Sequence, residues 1–140
     1  MILLDTNVVS ETMRPAPDTR VIAWLDSQAA EIFHLSTVTL AELLLGVAIL
    51  RDGKRKAALR RTLTDGVAAL FGPRLLPFDA AAAEVYAQLV SDARARGLAI
   101  GVSDGMIAAI AKHHGLMVAT RDIAPFEAAG VPVVNPWAVN

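Results

Sequence analysis

Hydrophobic positions fall along this chain in two rhythms, short apolar runs and longer stretches in which apolar residues recur every third or fourth position. The first run, Met1-Ile2-Leu3-Leu4, is too short for a helix and ends in Asp5-Thr6-Asn7, so it reads as a buried strand with Asp5 at its C-terminal tip. Val8 to Met13 can form a short helix, which Pro15 and Pro17 stop. Asp18 caps a second helix, with apolar residues at Val21, Ile22, Trp24 and Leu25. Glu31 to Ser36 reads as strand two, and Thr37 or Thr39 opens a helix that carries Glu42. Lys54 to Leu70 reads as one helix ended by Gly72-Pro73, and Leu75 to Phe78 as a short strand whose proline suits a strand end or an edge. Asp79 then caps an alanine-rich helix through Arg96, closed by Gly97.

Ser103 to His114 is the next helix, closed by Gly115. Leu116 to Ala119 forms strand four with Thr120-Arg121-Asp122 at its tip, a short helix covers Phe126 to Ala129, and Val131 to Val134 is a last edge strand. Alternation of this kind predicts an α/β fold, a three-layer α/β/α sandwich around a mainly parallel sheet. The expectation is one domain over residues 1–140, with no repeats or linkers.

Composition narrows the chemistry. There are no cysteines, which excludes thiolate metal sites and thiol nucleophiles and fits a reducing compartment. The apolar fraction of 54% is high, yet Val38 to Leu50 contains Thr39 and Glu42 and is better explained as a core helix than as a membrane span. The N-terminus lacks the basic region of a signal peptide, so the expected location is the cytoplasm, without membrane association. Surplus apolar surface on so short a chain points to a homo-oligomer, a protein partner, or both. Net charge is −1, which gives no global attraction to nucleic acid. Six basic residues lie between Arg51 and Arg61; such a run can follow a phosphate backbone or form the solvated face of a helix.

Four acids stand at strand tips or in the first turns of helices within apolar surroundings: Asp5, Glu42, Asp104 and Asp122. For Asp5 alone, a helix cap and a sheet-edge functional group are equally good readings. Glu42, between Leu40-Ala41 and Leu43-Leu44-Leu45, needs a partner or a metal, because an unpaired buried carboxylate is costly. Carboxylate clusters without Cys or His select hard cations, Mg²⁺ or Mn²⁺, and their natural chemistry is phosphodiester hydrolysis. Thr6, Asn7, Ser103 and Thr120 adjoin these acids and can orient them or cap helices; Arg121 can meet a phosphate oxygen or pair with an acid.

Taken together, the Asp5-Thr6-Asn7-Val8-Val9-Ser10-Glu11 start, Thr-Leu-Ala-Glu-Leu-Leu-Leu-Gly at 39–46, Ser103-Asp104, Val118-Ala119-Thr120-Arg121-Asp122 and the closing Val134-Asn135-Pro136-Trp137 resemble the PIN-domain family. The likeness is to its VapC-like toxin ribonucleases, in particular the FitB-like branch. It implies a Mg²⁺- or Mn²⁺-dependent endoribonuclease, the toxin of a toxin–antitoxin pair, that hydrolyses RNA with a metal-activated water. It also implies a homodimer, a cognate antitoxin that blocks the site, and operator DNA reached only through that antitoxin. Asp5, Glu42 and Asp104 match the family's three best-attested acids. Many members have Thr-Arg-Asn and an acid three residues later just before Phe, where this chain has Pro125; Asp122 is the expected fourth acid.

Other readings compete less well. Gly101-Val102-Ser103-Asp104-Gly105 has the G-x-S-x-G pattern of a hydrolase elbow, but the residues before it make a poor strand. A phosphatase with Asp5 as nucleophile would want a second Asp where Asn7 stands. A PIN-like binding protein without catalysis is the remaining alternative, kept open by Pro125. His34 is expected to find a local partner and His113-His114 to serve a helix end.

Overall fold

A computed structural model describes residues 1–139. Five short strands, β1 (Ile2–Leu4), β2 (Phe33–Ser36), β3 (Leu75–Leu76), β4 (Met117–Ala119) and β5 (Val133–Val134), form one sheet in the order β3-β2-β1-β4-β5. Every pairing is parallel. The helices are α1 (Thr6–Thr12), α2 (Thr19–Asp26), α3 (Thr37–Ala48), α4 (Lys54–Arg61), α5 (Val67–Phe71), α6 (Ala80–Ala95), α7 (Val102–His114) and α8 (Ala124–Ala128).

Side chains alternate across a strand, and the two faces of β1 and β4 feed two separate cores. Leu3 and Val118 join the core built with α6, α7 and α8, around the fully buried Ile107, Ile110 and Phe126. Leu4 and Ala119 face the other core, with Val8, Val21, Leu43, Leu63 and Trp137. The expected α/β/α sandwich is therefore present. None of the helices is long and apolar enough to cross a membrane among the described residues.

Local chemistry sets most element ends. Asp18 accepts from Arg20 N at 2.9 Å and Asp79 from Ala82 N at 2.9 Å, each capping its helix. Helix α3 is capped not by a threonine but by Ser36, the last residue of β2, whose Oγ accepts from Thr39 N at 2.9 Å. Gly115 takes the left-handed conformation (φ 66°) that ends α7. Strand β3 stops at Leu76 because Pro77 has no N–H to offer, and Phe78 N donates instead to Thr37 Oγ1 at 3.2 Å. The stretch from Lys54 is not one regular helix: a π-helical turn at Thr62–Gly66 interrupts it, where the hydroxyls of Thr62 and Thr64 donate to the carbonyls of Ala58 and Arg60.

In a parallel sheet, ligands bind beyond the carboxyl ends of the strands where the order reverses direction. Here the chain runs outward from β1 through β2 to β3, then returns to the other side of β1 with β4, so the reversal lies between β1 and β4. Asp5 ends one of these strands and Thr120 follows the other.

Candidate active site

The crevice between the tips of β1 and β4 is built on hydroxyl groups that hold carboxylates. Asp5 is 5% exposed; its N–H extends the sheet ladder to Ala119 O at 2.9 Å. One carboxyl oxygen accepts from Thr6 N at 2.8 Å, capping α1, and the other accepts from Thr120 Oγ1 at 2.8 Å. The cap and the sheet-edge acid are thus the same side chain. Thr120, fully buried, uses its whole hydrogen-bonding capacity here: it donates to Asp5 and accepts from Asn7 Nδ2 at 3.3 Å and Asp122 N at 3.1 Å. Asn7 also accepts from Arg121 N at 3.3 Å, tying the two strand tips together.

Glu42 lies one turn into α3, and α3 packs against both α1 and α7. Its Oε1 accepts from Thr6 Oγ1 at 2.7 Å and its Oε2 from Ser103 Oγ at 3.3 Å. Because the Thr6 proton is committed to Glu42, the contact of 3.2 Å between Thr6 and Thr39 has the buried Thr39 hydroxyl as donor. Thr39, Thr6 and Glu42 form a chain reaching from the core to the site. Asp104, in the first turn of α7, is half-buried.

The electrostatics show that the acids share one space. Burial pushes the Asp5 carboxyl up to about 6, against the lowering effect of its bonds from Thr120 and Thr6, and the charges of Asp104 and Glu42 push it further. Asp104 is raised by burial first, then by Asp122 and Glu42. A concentration of negative charge that opposes its own ionisation, in an all-oxygen donor set, fits a hard divalent cation. Among the described residues no three acidic or histidine side chains stand close enough, as they are, to hold an ion together. A cation would have to draw the carboxylates inward.

The structure brings Asp5, Glu42 and Asp104 within reach of one another's charge, and Asp122 within reach of Asp104. Asp122 is the outlier, exposed on the loop between β4 and α8; Pro125 occupies the first turn of α8. Thr6, Asn7, Ser103 and Thr120 all bond to an acid or to one another at the site. Arg121 turns away: its guanidinium lies 5.0 Å from the centre of the Trp137 ring. The G-x-S-x-G segment has no strand before it, and Ser103 donates to Glu42. Its last glycine is required by packing, since a Cβ on Gly105 would lie 2.8 Å from the Tyr86 ring. His34 Nδ1 bonds locally to Ile32 O at 3.1 Å, and His113 packs edge-on against His114 at the end of α7.

Two contributions were not anticipated from the residues alone. Thr39 appears in the sequence as one polar residue in an apolar helix. Glu11 is buried and accepts from Asp18 N at 2.8 Å while pairing with Arg14 at 3.2 Å, which fastens the proline-rich turn to α1. The Glu11–Arg14 spacing of three residues is the only signal of it in the sequence.

Comparison with known proteins gives the same picture of the whole chain. The PIN domain family matches residues 2–131. Toxin FitB of Neisseria gonorrhoeae is 54% identical over 137 residues, covering 98% of this chain and 99% of that protein. The VapC ribonuclease Y4jK of Sinorhizobium fredii is 48% identical over 98% of each chain. A solved structure of FitAB bound to an IR36 DNA fragment contains a chain 51% identical to this one, with a TM-score of 0.95 over 100% of this chain and 98% of that one.

Proposed function

The chain belongs to the PIN-domain family, and from that premise we propose that it is a divalent-metal-dependent endoribonuclease, the toxin of a toxin–antitoxin pair. The observation that supports this most strongly is the group of mutually repelling carboxylates, Asp5, Glu42 and Asp104, at the point where the sheet order reverses. The chain acts as a single nuclease domain. Its ribonuclease activity is in keeping with the VapC ribonuclease it is similar to, and its toxin role with Toxin FitB.

Asp5, Glu42 and Asp104 hold Mg²⁺ or Mn²⁺, with Asp122 as a fourth, outer acid. A divalent cation there supplies Lewis acidity toward a phosphoryl oxygen and makes water a competent nucleophile near neutral pH. The protein's own part is orientation. Thr120 and the Thr6 N–H fix both oxygens of Asp5, while Thr6 and Ser103 fix both oxygens of Glu42. These bonds fix how the carboxylates are turned, so the adjustment a cation requires is to draw them closer together. The hydroxyls of Thr6, Ser103 and Thr120 are engaged by carboxylates, and the attacking group in this reading is water, whose oxygen forms the new P–O bond as the bond to the leaving ribose oxygen breaks.

Two partners follow from this reading. A cognate antitoxin blocks the site and carries the assembly to DNA, in keeping with the FitAB assembly on DNA. An apolar cavity of about 360 Å³ beside α1 and α5, edged by Leu70, offers such a partner purchase. A second copy of the chain is the other partner; Leu45 on α3 and Ile49, which caps its end one turn later, are 63% and 77% exposed.

The test is cleavage of a mixed RNA pool by antitoxin-free protein with Mg²⁺ or Mn²⁺ and with EDTA, beside an Asp5→Ala control. Metal-dependent cutting absent from the control is expected. Equal behaviour of the two proteins across several RNA classes would overturn the catalytic reading in favour of a PIN-like binding protein.

A further inference from the structure

A trough of about 240 Å³ leads away from Thr6 and Glu42 between α1 and α3, and nothing in the ribonuclease reading yet uses it. One wall is α1 with Met13 and Arg14 just beyond its end; the floor follows α3 from Glu42 over Gly46 to Leu50, just past its end; Arg55 of α4 lines it as well, and most of the lining is apolar. Six residues of α3 follow Glu42 to Ala48, so the helical floor runs about 9 Å from it, with Leu50 just beyond. One site acid, Glu42, and two guanidinium groups, those of Arg14 and Arg55, line the same trough.

Gly46 says that the trough is kept open. It sits inside α3, where glycine is among the least favourable residues. A Cβ at this position would meet nothing within 4 Å, so packing within the chain does not require glycine there. What a side chain would do is fill the trough. A larger side chain at this position would narrow the trough without touching the core, which makes Gly46 the place to close it.

The two arginines have the chemistry for phosphate. Arg14 is pinned by the buried Glu11, which is itself fixed by Asp18 N, yet its side chain is 64% exposed and keeps donors facing out. Arg55 is exposed and makes no ion pair among the described residues. A guanidinium at a set distance from the reacting phosphate gives planar, directional recognition of a neighbouring one.

We propose that this trough holds the single-stranded RNA segment on one side of the cleaved bond. Arg14 and Arg55 are its phosphate-positioning residues and Gly46 is the floor over which the backbone passes. A trough of about 240 Å³ holds part of one strand and is far too small for a duplex. The proposal rests on the ribonuclease reading, and its test separates the two.

The experiment uses a fluorescein-labelled RNA that the wild-type protein cuts. Binding is followed by anisotropy across a salt series in an Asp5→Asn background, and kcat and KM are measured in the otherwise wild-type chain. Arg55→Gln is expected to weaken binding about tenfold, to lower the salt slope by about one, and to raise KM more than it lowers kcat. Gly46→Leu is expected to block binding while leaving the thermal midpoint unchanged or raised, since leucine favours the helix. If wild type cuts RNA but both variants keep its affinity, salt slope and KM, the trough is not an RNA subsite and the nuclease reading stands. If Gly46→Leu loses antitoxin binding with RNA binding intact, the occupant is the protein partner and the proposal fails. Absence of any difference in cutting between wild type and Asp5→Ala would instead remove the nuclease reading itself.

Discussion

Replacing Asp5 by Asn should make the metal-free protein more stable at pH 8 while destroying its activity. Burial holds the Asp5 carboxyl at about 6 instead of the ordinary 3.8. At 1.36 kcal/mol per pH unit, keeping it ionised above pH 7 costs the folded state about 3 kcal/mol. Asn retains an oxygen for Thr6 N, but its amide faces Thr120 Oγ1, whose lone pairs already accept from Asn7 and Asp122, and the unmatched N–H returns about 1–2 kcal/mol of that gain. The net expectation for Asp5→Asn is about 1–2 kcal/mol of added stability at pH 8. The sign follows from the raised value: the folded state binds this proton more tightly than the unfolded chain. The contribution of Asp5 to wild-type stability therefore rises as pH falls from about 7 to 4, and the advantage of Asn vanishes or reverses at pH 4. Urea denaturation in EDTA at pH 8 and pH 4.5 measures it. A variant less stable than wild type at pH 8, or a difference independent of pH, would refute the account of Asp5 as a desolvated anion.

Other expectations concern the groups around it. Thr39→Val, nearly isosteric, should lower kcat by about tenfold with little loss of stability, and Thr39→Ser should restore it; equal kcat in all three would break the chain from Thr39 through Thr6 to Glu42. Asp122→Ala should reduce cleavage by about ten- to a hundredfold without abolishing it, because the side chain is exposed at the rim and its charge bears on Asp104; unchanged kinetics would remove it from the site. Gly105→Ala should destabilise the fold by about 1–3 kcal/mol through its clash with Tyr86, and Tyr86→Leu should relieve part of that loss in a double variant read by urea denaturation.

The acids were legible because strand tips in a parallel sheet can be read from short apolar runs and the polar residues that end them. Asp5 and Thr120 each follow such a run, and their strands are neighbours. Glu42 announced itself by polarity in an apolar helix. Thr39 carried the same signal but looked like a helix cap, since a hydroxyl reads the same whether it caps a backbone or supports another side chain. The burial of Glu11 depends on how the turn through Pro15 and Pro17 folds back on α1, which no local pattern specifies. The π-helical turn at Thr62–Gly66 was hidden because one extra residue in a helix scarcely disturbs apolar periodicity. Likewise Arg55 was one of six basic residues in a run, and only the packing of α4 against α3 sets it in the lining of the trough.

The central claim is that these carboxylates, brought together by the sheet, hold a divalent cation. Calorimetric titration of Mn²⁺ into antitoxin-free protein and its Asp5→Ala, Glu42→Ala and Asp104→Ala variants tests this without any RNA. Saturable binding by the wild type, weakened at least about tenfold in each variant, is the predicted result. Equal Mn²⁺ affinity in all four folded proteins would contradict it.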